Sequence, residues 1–210
     1  MDGLDTTDVR IVAGFLIGGF FVFLAGAVRW KMAYQAALPD SLAAIAASPA
    51  QWRWIHLWMI GGTIMTLLGL AGWTHLVLAE DGVVYSSFGL LLFLIGALPW
   101  LCGVVWRLTV LQAAALQIQT SGTMPPETKA WADWFGHLHS LHLLTAYLSW
   151  VALGASVLDT EILASWVGLL GIGLGLTGFV GYTALRGGPF APPILAHLYP
   201  LFLGIALLVR

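Results

Sequence analysis

Residues 11–29 read IVAGFLIGGFFVFLAGAVR, eighteen uncharged residues closed by Arg29. A helix needs about 20 predominantly apolar residues to cross a hydrocarbon core about 30 Å thick. This stretch therefore reads as a transmembrane helix. Similar runs recur at about 53–78, 84–106, 137–158, 162–184 and 192–209. The expectation is an all-α, polytopic membrane protein: one domain, residues 1–210, forming a bundle of six transmembrane helices. The last run is the shortest, and Pro200 should kink it.

Composition agrees. Of 210 residues 60% are hydrophobic and 9% are charged, with a mean hydropathy of +0.91. Soluble domains carry roughly 25% charged residues, so this chain cannot cover itself with polar surface. Its eleven tryptophans suit a bilayer, because indoles favour the membrane–water interface. A net charge of −2 argues against nucleic acid as a partner. The single cysteine, Cys102, forms no internal disulfide and no metal framework. The opening MDGLDTTDVR carries three Asp and one Arg, the wrong charge for the start of a cleaved signal peptide, so the first apolar run is expected to be retained.

Loop charges set an orientation. Arg29, Lys31 and Arg53 flank the first loop, Arg107 and Lys129 the third, and Arg186 lies in the fifth. The second and fourth loops carry only Glu80, Asp81, Asp159 and Glu161. By the positive-inside rule the odd loops are cytoplasmic and both termini lie outside, as expected for a bacterial or organellar inner membrane; Arg10 and Arg210 run against the trend. Within the long loops, Ser48–Pro49 is a helix start. The third span should continue as helix to about Gln119, where Gly122, Pro125 and Pro126 break it. Gly14-x3-Gly18 and Gly171-x3-Gly175 are small faces suited to helix packing within the chain.

Six histidines stand out in such a chain. His56, His137, His139, His142 and His197 all fall toward the cytoplasmic ends of the second, fourth and sixth spans, and only His75 lies near the outer side. The contexts IHLWMIGGTI, LHLLTAYLSW and AHLYPLFLGI align His56, His142 and His197 at one depth. At about 100° per residue, Thr63 and Thr74 follow the face of His56, while Thr145, Ser149 and Ser156 follow that of His142. Stripes of small and hydroxylated residues face a bundle interior rather than lipid. His139 shares the side of His142. His137 points away and reads as interfacial near Asp133, and His75 reads as structural.

Neutral imidazole is the commonest transition-metal ligand and an axial ligand of haem iron. The expected function is a b-type haem protein of the membrane, in electron transfer or haem handling. In that reading His56 and either His142 or His197, with His142 preferred, would ligate the iron. His139 and Arg107 would hold propionates or water, with Arg53 and Arg186 as further cations. Gly61, Gly62 and Gly204 would give room for the macrocycle. His197 would instead serve the carbonyl of Ala196 that Pro200 leaves without its helical donor. Histidines of one leaflet on even-numbered helices are similar in layout to polytopic b-haem proteins such as haem A synthases. That similarity involves no motif, and no residue is carried over from it. Two alternatives stay open. One is a non-catalytic structural or assembly subunit of a respiratory or photosynthetic membrane complex. The other is a metal-dependent membrane enzyme with zinc, copper or iron on His56, His142 and His197. Whether the chain is itself an oxidoreductase is open; its partners would be the bilayer, a quinone or other membrane subunits. No acidic residue lies inside a span, which weighs against an ion-coupled transporter.

Overall fold

In the computed structural model, residues 6–30, 38–78, 82–160, 162–185 and 188–210 are described, and Lys31, Glu80, Asp81, Glu161 and Arg186 lie outside them. Among the described residues the chain is all-helical. The helices are α1 (Thr6–Ala27), α2 (Leu38–Ala47), α3 (Pro49–Leu76), α4 (Val83–Trp106), α5 (Gln112–Ser121), α6 (Thr128–Asp159), α7 (Ser165–Ala184) and α8 (Leu198–Val209). A π-helical turn, Arg107–Leu111, joins α4 to α5, and a 3₁₀ turn, Pro193–His197, leads into α8.

Among the described residues, five stretches are long and apolar enough to span a bilayer: α1, α3, the rod Val83–Ser121, α6 and α7. The span count of six is corrected accordingly. The last run, Pro193–Val209, starts as a tight turn, and its 12-residue α8 rises only about 18 Å at 1.5 Å per residue. The bundle is a helical membrane protein nonetheless, with large apolar side chains such as Phe21, Leu68, Phe88, Leu91, Leu169 and Val180 facing outward.

Local signals behave as their chemistry dictates. Pro49 opens α3 after Ser48. Gly122 ends α5 in the left-handed conformation (φ 71°), its N–H bonded to the Ile118 carbonyl at 2.9 Å. The long loops come together, since α2 packs on α5 and Leu42 and Ile45 share a core with Ala114 and Ala115. Both loops thus lie at one end of the bundle.

Helix pairing places the site. α1 packs along α3 and α8, α4 along α6, and α6 along α7. The α1–α3 seam is built on Gly19 and Gly62, where a Cβ on Gly62 would meet the Phe23 backbone nitrogen at 2.6 Å. Of the expected Gly14/Gly18 pair, Gly18 does meet α3, where a Cβ would touch Met65 Cε at 2.6 Å, whereas a Cβ on Gly14 would meet nothing within 4 Å. Gly171 and Gly175 do pack inside the chain, against Tyr199 and the Tyr147 carbonyl. α3 and α6 make little backbone contact. Aromatic rings and histidines lie between these two halves.

Candidate functional site: four buried histidines

His56, His142 and His197 are fully buried, and His139 is half-buried. His75 and His137 are exposed and stand apart from them. Asp133, the expected neighbour of His137, is paired instead with Lys129 at 2.7 Å.

Each buried ring keeps an unpartnered nitrogen. His56 Nδ1–H donates to the Trp52 carbonyl at 2.8 Å, one helical turn back, which leaves Nε2 bare. His139 Nε2–H donates to the Ala191 carbonyl at 2.9 Å, leaving Nδ1 bare. His197 Nδ1 shares a 2.8 Å hydrogen bond with Thr66 Oγ1, and its Nε2 has no partner. His142 lies beside the Gly96 carbonyl, yet neither of its nitrogens makes a hydrogen bond. A buried polar atom without a partner is costly, so five such atoms on four histidines are a departure from ordinary packing. An oxygen on one nitrogen fixes the tautomer and aims the other nitrogen, which is how metal-ligating histidines are held.

The rings occupy two layers, not one. Thr66 follows His56 by ten residues of α3, about 15 Å along the axis. His197 sits at the Thr66 level, its ring 4.4 Å from Phe23, which itself packs on Gly62. His56 is held an entire tier away, between Trp52 (4.2 Å) and Trp30 (5.6 Å). His142 belongs with His197: Phe93 stands edge-on to both, 6.0 Å from each. The other face of His142 stacks on Trp100 at 5.3 Å and 11°. His139 also touches Trp100, at 5.3 Å. Arg107 closes the outer layer, its guanidinium against Phe135 (4.2 Å), Trp30 (5.4 Å) and Trp100 (5.9 Å).

The structure therefore brings His142 together with His197, and His56 and His139 to the level of Arg107. It does not bring His56, His142 and His197 to one point. Among the described residues no group of three His, Cys, Asp or Glu stands close enough to hold a metal ion. The common depth read from aligned sequence fails because His197 ends a 3₁₀ turn rather than sitting within a continuous span. Its expected partner is also different: the Ala196 carbonyl accepts from Trp150 Nε1 at 3.4 Å, which frees His197 for Thr66. Gly62 and Gly204 receive α1 rather than leaving room for a cofactor. Arg53 bonds Gln112 Oε1 at 3.4 Å, and Arg186 lies outside the described residues.

The sequence reading missed Thr66, Phe93, Trp100 and Trp150. Tryptophan was read as interfacial, but Trp73, Trp100 and Trp150 are buried in the bundle. The expected hydroxyls serve helix packing: Ser149 donates to the Gly89 carbonyl at 2.7 Å and Ser86 to Thr74 Oγ1 at 2.8 Å. No family model, curated protein or solved structure matches the chain.

Proposed function

We propose that this chain is a b-type haem protein of the membrane, in which His142 and His197 would hold the haem iron. The observation that supports this is the pair of fully buried rings at one level, each with a bare nitrogen and no acidic neighbour. Two neutral nitrogens from different elements are the donor set of a bis-imidazole haem. The lining is aromatic and apolar, which suits a flat macrocycle. The seam between α3 and α6 is closed by side chains, and the buried Phe93 and Trp100 would have to give way to admit a macrocycle. A bound b-type haem supplies one-electron transfer. The protein's own part would be to keep water from the iron and to orient the His197 ring through its hydrogen bond with Thr66. In this reading electrons would be exchanged with a quinol or a partner membrane subunit. His56, preferred as a ligand from sequence, lies a layer away and is assigned a supporting role.

An absorption spectrum of the purified protein tests this. Reduction should give sharp b-type bands, His142→Ala and His197→Ala should each abolish the low-spin spectrum, and His56→Ala should retain it. A colourless, folded, metal-free protein would overturn the reading and leave the structural-subunit alternative. Stoichiometric zinc, copper or non-haem iron without porphyrin would replace it with the metal reading.

A further inference from the structure

Arg29, just past the end of α1, carries a guanidinium that no carboxylate among the described residues pairs with; the ion pair there is Lys129–Asp133. The cation lies over the Trp54 ring at 5.4 Å, a contact that orients it without neutralising it. The Arg29 carbonyl accepts the Gln51 side-chain N–H at 3.0 Å, which ties this end of α1 to the first turn of α3. Between them opens a cleft of about 580 Å³ lined by Val28, Arg29, Ala50, Gln51 and Trp54. A second cleft, of about 200 Å³, shares Arg29 and Gln51 and adds Ser48. Neither wall contains an acidic residue among the described residues. Ser48 precedes α3 but caps no backbone N–H with its side chain, so its hydroxyl and the first N–H groups of the helix remain as donors at the clefts.

An apolar track continues from this polar end. Arg29 meets Trp54, a Cβ on Gly26 would meet Trp58, a Cβ on Gly61 would meet Val22 at 3.5 Å, and a Cβ on Gly18 would meet Met65. These pairs descend the antiparallel α1–α3 seam about one turn at a time. Val22, Trp58, Gly61 and Met65 are half-buried, so the seam surfaces as a shallow groove. Trp54 is exposed at its mouth, where an indole suits the membrane–water interface. A cation with neutral donors above an apolar groove is complementary to a molecule with an anionic head and a hydrocarbon tail. We propose that this end of the α1–α3 seam binds one anionic phospholipid. Its phosphate lies on the Arg29 guanidinium, which suits phosphate geometry, its headgroup reaches Ser48, and one acyl chain follows Trp58 and Gly61 toward Met65. The site is independent of the haem reading.

The test titrates delipidated full-length protein in detergent with phosphatidylglycerol and with phosphatidylcholine, and counts bound lipid by native mass spectrometry. Wild type should bind its first phosphatidylglycerol about fivefold or more tighter than its first phosphatidylcholine. Arg29→Gln should bring the two lipids to about equal affinity, while Arg29→Lys, which keeps the charge, should retain most of the preference. Ser48→Ala should lower it about twofold, and this variant carries the test if Arg29→Gln does not fold. Arg10→Gln, at the opposite end of α1, should leave the preference unchanged. Inorganic phosphate at the concentration of the lipid should displace none of it. Equal binding of the two lipids by wild type, or a preference that survives both Arg29→Gln and Ser48→Ala, would overturn the site. Displacement by inorganic phosphate would overturn the lipid as its occupant, since an anion without an acyl chain would then suffice.

Discussion

Thr66→Val isolates the single hydrogen bond that holds the deepest histidine. Valine matches threonine in shape, so packing of α3 on α1 beside Gly19 is retained while the hydroxyl is lost. Thr66 and His197 are both fully buried and their bond is 2.8 Å. Since His197 Nε2 is already without a partner, the variant leaves both ring nitrogens unsatisfied. Stranding a buried donor or acceptor costs about 1–3 kcal/mol in proteins generally. Hydrogen bonds between membrane helices average about 0.6 kcal/mol and reach about 1.7, because the unfolded chain in the membrane also finds partners. The His197 ring is locked between α1 and α4 aromatics and cannot turn to another acceptor, so the upper part of the membrane range applies, about 1–2 kcal/mol. Reversible unfolding in mixed micelles of increasing denaturing-detergent fraction measures it. Thr66→Ser, which keeps the oxygen, should lose clearly less. A Val variant as stable as wild type, beside a destabilised Ser variant, would show that volume and not the hydrogen bond matters at this position.

Other consequences are equally direct. Gly62→Ala should destabilise by about 1–3 kcal/mol in the same assay, because its Cβ meets the Phe23 backbone, whereas Gly14→Ala should be neutral or slightly stabilising. Trp150→Phe removes the donor to the Ala196 carbonyl and should cost about 1 kcal/mol; Pro200→Ala restores a backbone N–H there, so a double-mutant cycle should show coupling between the two sites. With Cys102 replaced by Ala, a cysteine at position 40 should label only from the cytoplasmic side and one at position 159 only from outside; reversed labelling would invert the orientation. Neutralising the exposed Lys129–Asp133 pair should change stability by less than about 0.5 kcal/mol, checked by the same unfolding assay.

Much of the bundle could be read in advance because lipid imposes a simple rule on composition. Uninterrupted apolar runs marked α1, α3, α4, α6 and α7, and backbone chemistry marked the start at Pro49 and the stop at Gly122. The burial of His56 and His142 was legible too, since each heads a stripe of small and hydroxylated residues along its helix. Depth was not. It depends on how a chain enters the membrane, and Pro193–His197 enters as a 3₁₀ turn that sets His197 against Thr66. Partners distant in sequence were equally hidden: Trp150 lies 46 residues from the carbonyl it serves. The glycine seam eluded spacing rules because Gly18 and Gly19 are neighbours in sequence, and only the docking of α3 decides which one is buried.

The π turn at Arg107–Leu111 has a bearing on the phase of the rod that contains it. One residue more than an α-helix requires is wound into that turn, so everything after it is rotated by about 100° relative to a regular continuation. That offset lets one rod keep two registers, with Gly89, Gly96 and Gly103 turned to α6 and Ala114 and Ala115 turned to α2. Deleting a single residue between 107 and 111 would merge the two registers. The extramembrane end would then swing as a crank, carrying its apolar stripe off α2 while the membrane portion stayed seated. An insertion or deletion here thus acts on the angle between two surfaces rather than on the length of the helix.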